Sequence, residues 1–211
     1  MTAATPPRER NRRETETRIE LSAAQLALEK GFAHVTVDDI CERAGVARST
    51  FFKYFSSRDA AIVGRTITVL PHEQAFEVFN AHADSLPRGI FELIFASVGH
   101  AKIDSDVARA RQELSRTQPD ARSVGTLTLI DAGVQLMAVA RDWLIAHPEH
   151  ARLDDPEAEA ALASNTAYAA ISTMAGGWMS ASGDITASGD EFDAALADLR
   201  RVVADEPRDA H

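Results

Sequence analysis

Arg48, Ser49, Thr50, Lys53 and Tyr54 fall within one seven-residue run, RSTFFKY, shared with two phenylalanines. A guanidinium can grip a guanine edge through two hydrogen bonds, and a threonine can meet a thymine methyl or a phosphate. Lysine and tyrosine suit phosphate oxygens, which set register without carrying sequence information. On a helix, Phe51 and Phe55, four residues apart, turn inward and leave the polar set outward. Phe52 can pack on a sugar or a base methyl but has no hydroxyl to donate. Thr36 and Arg58 stand at helix N-termini, where backbone amides favour an anion. This set could read duplex DNA; the bland reading is the solvated face of a structural helix pair.

Such chemistry needs a rigid frame. In TVDDICERAG, Val37, Ile40 and Ala44 recur at helical spacing, with Asp38, Asp39, Glu42 and Arg43 outside. Thr36 can cap that helix, Gly45 suits a left-handed turn after it, and Val46 can plug the angle to a second helix at Arg48–Tyr54. The result is a helix-turn-helix with a polar, basic second helix. A preceding helix over Glu14–Lys30 carries Ile19, Ala23, Leu26 and Ala27 on one face, ended by Gly31 as a left-handed cap. A following helix starts at Ser56–Asp59, capped by Ser57 alone or by a Ser56/Asp59 box. It carries Ala61, Ile62, Arg65 and Val69 and ends or kinks at Pro71.

The order T-V-x-D-I-x-x-x-A-G-V-x-x-x-T-x-F-x-Y-F, followed by Ser57-Arg58-Asp59, resembles the DNA-binding domain of the TetR family of transcriptional regulators, over about Arg13 to Arg65. The resemblance implies that Thr36, Arg48, Ser49, Thr50, Phe52, Lys53, Tyr54 and Arg58 form the operator interface. It also implies a homodimer built through the last two helices, and a body that holds a small hydrophobic effector. The variant Thr50-Phe51-Phe52-Lys53-Tyr54-Phe55 is similar to a subgroup that includes the mycofactocin-system regulator, which implies an acyl-CoA-like effector. Two positions depart from the pattern. Ala47 stands where many relatives cap the recognition helix with serine, and Phe52 where many carry tyrosine. They keep open a second reading, a ligand-binding or interaction protein with a degenerate head.

Charge supports a sided molecule. The 211 residues sum to −10, yet residues 1–65 hold 11 Lys and Arg against 9 Asp and Glu, while residues 66–211 hold 11 against 23. Only the N-terminal part can approach phosphate without penalty. The expected division is a disordered basic arm at 1–13, a DNA-binding domain at 14–65 and a larger helical ligand-binding and dimerisation domain at 66–211. The arm's arginines either reach DNA or form a solvated tail. Helical periods recur through the body and no segment alternates with period two, so the chain reads all-α with no strand. Ala160–Gly183 is uncharged but too rich in Ser, Thr, Asn and Gly for hydrocarbon, so it suits burial between protein surfaces and no membrane is expected.

In the body, Phe91, Phe95, Met137, Trp143, Met174 and Trp178 either line a ligand pocket or fill the core. Were the effector an acyl-CoA, Arg109 or Arg111 could meet its phosphates. His147 and His150 are separated by Pro148, so no metal site is expected. There is no phosphate-cradling glycine loop and no nucleophile elbow, so neither a cofactor nor an enzyme is expected. Cys41, the only cysteine, precludes an intrachain disulfide and points to a reducing, cytoplasmic compartment.

Overall fold

The computed structural model describes residues 7–65, 67–99, 102–178 and 184–204. Its architecture is all-α. The first helices are α1 (Pro7–Lys30), α2 (Val37–Ala44), α3 (Arg48–Tyr54), α4 (Arg58–Val63), α5 (His72–Ala81) and α6 (Leu86–Val98). They are followed by α7 (Ser105–Thr117), α8 (Pro119–Ala146), α9 (Pro156–Trp178) and α10 (Gly189–Val203). Contrary to the absence of strands expected from sequence, β1 (Lys102–Asp104) and β2 (Asp184–Thr186) pair in a small two-stranded sheet. Three residues are too few to register as an alternation.

The chain forms two compact units. The first takes Met1–Thr66, Ile103–Leu129 and Ser182–Asp184; the second takes Ile67–Lys102, Ile130–Ala181 and Ile185–His211. The first unit is therefore discontinuous, which a division between residues 65 and 66 leaves out. Its core packs Ile19, Ala23, Leu26 and Ala27 of α1 against Phe32, Ile40, Phe51, Phe55 and Ile62, with Leu114 and Ala121 arriving from α7 and α8. Residues 7–13, expected in a disordered arm, instead form the opening turns of α1. Proline suits a first helical position, and Arg10 lies 3.7 Å from Glu14 one turn on. Residues 1–6 of the expected arm lie outside the described residues.

Two chain breaks differ from expectation. Gly31 has φ +90 and ψ 141, a positive-φ conformation outside the left-handed helical region expected for the cap, and leads into a 3₁₀ turn at Phe32–His34. The helix expected to run toward Pro71 stops at Val63, because Gly64 takes φ +115.

In the second unit, α9 packs on α6 and α10. Ala160, Ala163, Ala167 and Ala170 are buried at spacings of three and four, so small side chains let the helix axes approach. By length and composition α8, rather than the Ala160–Gly183 stretch, could cross a membrane, with mean hydropathy 1.4 over an 18-residue window. Only 22% of that window is buried. Leu136, Val139, Ala140, Trp143 and Leu144 are buried, whereas Leu127, Ile130 and Val134 are exposed.

Candidate nucleic-acid interface

The helix-turn-helix is built as its residues dictate. Thr36 caps α2 by accepting from the Asp39 amide at 3.1 Å, and the Asp39 carboxylate accepts from the Thr36 amide at 2.9 Å and hydroxyl at 2.6 Å. The Lys30 ammonium donates to the same carboxylate at 2.7 Å. Lys30 first, then Thr36, hold the Asp39 carboxyl well below the usual carboxylate range. Arg43 joins α2 to α1 through a two-pronged pair with Glu29, both contacts at 2.7 Å. Gly45 at φ +63, ψ 41 closes α2 through its amide, and Val46 packs into the angle as expected.

Within α3, Phe51 is fully buried and Phe55 just after it is 1% exposed; their ring centroids lie 5.8 Å apart. That orientation leaves Arg48, Ser49, Phe52 and Lys53 exposed on the opposite side. Phe52 is 49% exposed, its ring edge-on to Phe51. Thr50 is half-buried, and Tyr54 packs partly against the core instead of pointing fully outward. Ala47 occupies the cap position without a side-chain hydrogen bond. Arg48 rests between two neighbours: a nitrogen 2.6 Å from Asp38 and a guanidinium 5.7 Å from the Phe52 ring centre. Both members of the Arg48–Asp38 pair are well exposed, so water weakens their attraction and a base or phosphate can displace Asp38.

Two expected contact residues are differently employed. The Thr36 hydroxyl and amide are both engaged with Asp39, so Thr36 positions α2 in the free protein. Arg58 turns inward. Its guanidinium donates to the carbonyls of Phe32 at 2.7 Å and Val35 at 2.8 Å, and lies 5.1 Å from the Phe32 ring centre. A long cation at a helix start can reach either a phosphate or orphan carbonyls, and here the carbonyls before α2 claim it. Ser57 alone caps α4, accepting from the Ala60 amide at 3.1 Å. Gln118 gave no local signal. It accepts from the Phe32 amide at 2.6 Å and donates to the Ala27 carbonyl at 2.7 Å, fastening the turn after α1 from 86 residues away. Cys41 is buried, which raises its thiol pKa and leaves it poorly reactive.

The six residues considered for a ligand pocket separate clearly. Phe91 is 1% exposed and packs on Phe95 and Phe192, with ring centres 4.8 and 4.5 Å away. Trp143 is equally buried, donates to Asn80 at 2.8 Å and packs with Phe79, His147 and His150. Phe91 and Trp143 are thus packed in the core of the second unit. Met174 is buried and Met137 half-buried; the Trp178 side chain lies outside the described residues. A cavity of about 330 Å³ lies in the first unit and touches none of these six. Arg111 is committed to Glu20 and two backbone carbonyls, and Arg109 bonds Asp106.

Comparison with known proteins agrees with this geometry. Residues 21–61 match the family described as bacterial regulatory proteins, tetR family. The chain is 33% identical over 109 residues to the HTH-type transcriptional regulator EthR of Mycolicibacterium smegmatis, covering 47% of this chain and 48% of that one. It is 54% identical over 44 residues to the uncharacterised HTH-type transcriptional regulator YdeS of Bacillus subtilis, covering 20% and 22%. The matched regions thus span about half of EthR and about a fifth of YdeS. Among solved structures, Salmonella enterica GusR aligns with TM-score 0.39 and 20% identity over 96% of this chain and 99% of that one. With its capped α2, left-handed glycine turn and outward-facing α3, the region over residues 21–61 is similar to the DNA-binding part of the TetR family of bacterial regulatory proteins.

Proposed function

We propose that the chain is a cytoplasmic, ligand-responsive, one-component transcriptional repressor that binds a near-palindromic operator as a homodimer and is released by a small hydrophobic ligand. The observation that carries this reading is α3 itself. Buried Phe51 and Phe55 fix its rotation, and that rotation turns Arg48, Ser49, Phe52 and Lys53 to solvent. Arg48 supplies base-edge discrimination, and Lys53 anchors on phosphate. Exposed Leu162 and Tyr168 on α9, and Val202 and Val203 on α10, support pairing through the last two helices. Half-sites would then lie near one helical turn apart, roughly 34–36 Å, or farther if the heads are set wide. The effector class implied by residues 50–55 is acyl-CoA-like. It acts by binding the DNA-incompetent state more tightly.

The uncapped start of α3 at Ala47 favours a second reading, in which the head has lost DNA recognition. Selection of duplexes from random DNA, followed by footprinting, separates the two. The repressor reading expects an enriched two-fold motif protected over a dimer-sized footprint. Failure to enrich any motif contradicts it.

A further inference from the structure

Among the described residues, the cavity of about 330 Å³ at α4, α7 and α8 is lined by three arginines, Arg65, Arg111 and Arg122, and by no carboxylate. Val63, Leu114 and Leu129 supply apolar wall. Gly125 keeps one side open: a Cβ there would find its nearest neighbour, Val63, at 3.9 Å. The size lies at the lower end for small-molecule sites.

The arginines are not equivalent. Arg65 pairs with Glu16 of α1, which is 7% exposed, and lies 5.6 Å from the Phe55 ring centre at the end of α3. Arg111 donates to Glu20 of α1 at 2.9 Å and to the Ile62 and Ala61 carbonyls of α4 at 3.0 and 3.2 Å. Together they clamp α1 on α4. Arg122 is exposed and donates to a neutral acceptor, the Ser115 carbonyl, at 3.4 Å.

We propose that this cavity binds a small organic acid, a single carboxylate on a short hydrocarbon chain, and that binding loosens the clamp between α1 and α4. Guanidinium groups recognise carboxylates through paired, charge-assisted hydrogen bonds, and the apolar wall rewards a hydrocarbon body over a bare anion. Arg122 anchors the incoming carboxylate without loss of an existing ion pair. Once there, the carboxylate competes with Glu16 and Glu20 for Arg65 and Arg111. Glu16 cannot stay buried without a partner, so the state with α1 released is favoured. Phe55 lies under Arg65, so the disturbance reaches the end of the reading helix. This last step rests on the repressor reading; the binding itself does not.

Calorimetry on the full chain tests the site with octanoate, with octanamide as its neutral counterpart, and with inorganic phosphate. Saturable octanoate binding is expected, with octanamide and phosphate each weaker by about tenfold or more. Arg122→Gln and Gly125→Leu should each weaken octanoate by about tenfold or more. Arg122 is exposed, so its replacement should leave thermal unfolding unchanged even if Gly125→Leu disturbs α8. No octanoate binding, equal binding of octanamide or phosphate, or octanoate affinity indifferent to Arg122→Gln would overturn the proposal. With a selected duplex in hand, octanoate should lower DNA affinity and the duplex should lower octanoate affinity by the same factor. If no duplex is ever bound while octanoate binding behaves as expected, the repressor reading fails and the site stands; intact DNA binding without octanoate binding sinks the site alone.

Discussion

In and around α3, Phe51 and Phe55 are sealed in the core while Phe52, between them, is 49% exposed. In the second unit Phe79, Phe91, Trp143 and Phe192 are all within 1% of full burial. The same residue class therefore serves two purposes. Around α3, burial of two rings fixes the rotation of a short helix and so presents the residues beside them. In the second unit the rings pack on each other, and their function is cohesion. An exposed aromatic next to exposed cations points to a surface that binds something; a buried aromatic at helical spacing points to packing.

The sharpest way to break this comparison is Trp143→Ala. As a core residue Trp143 should cost about 3–5 kcal/mol on truncation, read by chemical unfolding. A wall of an open pocket would tolerate the change with little loss. Arg58→Ala comes next. Loss of the bonds to the Phe32 and Val35 carbonyls should destabilise the first unit by about 1–3 kcal/mol. A pure phosphate contact would instead leave stability untouched and alter only DNA affinity.

Thr36→Ala should cost about 1 kcal/mol through the lost cap. Its partner Asp39 adds a pH signature. The folded-state pKa of Asp39 is depressed, so its stabilising contribution is present above the ordinary value of 3.8 and is lost as pH falls below it. Asp39→Asn should therefore flatten the acid limb of the stability profile. An unchanged acid limb would show that the Lys30 and Thr36 contacts contribute little in solution.

What was legible in the sequence follows the range of the interactions. Thr36, Gly45, Phe51, Phe55 and Ser57 act through neighbours within four residues, and their roles could be read from spacing alone. Ser57, for instance, accepts from the Ala60 amide at 3.1 Å as its position suggests. Arg58 and Gln118 could not be read this way, because their partners lie 23 to 91 residues away. The pocket candidates show the same limit: periodicity shows that Phe91 and Trp143 face inward, but not whether a void waits there. The arginine-lined cavity draws on α4, α7 and α8, and no local pattern unites them. At Gly31 the sequence marks the end of α1 but not the conformation the glycine takes, φ +90 and ψ 141 instead of a left-handed cap.

The central claim is that the exposed face of α3 reads DNA. Its most direct test is a salt titration of binding to a selected duplex by the wild-type chain and by Arg48→Ala and Lys53→Ala variants. Arg48→Ala should cost about 1–3 kcal/mol and relax preference at one base pair, whereas Lys53→Ala should weaken all sequences alike and reduce the salt slope by about 1. Affinity, preference and salt slope all unchanged in both variants would contradict the account.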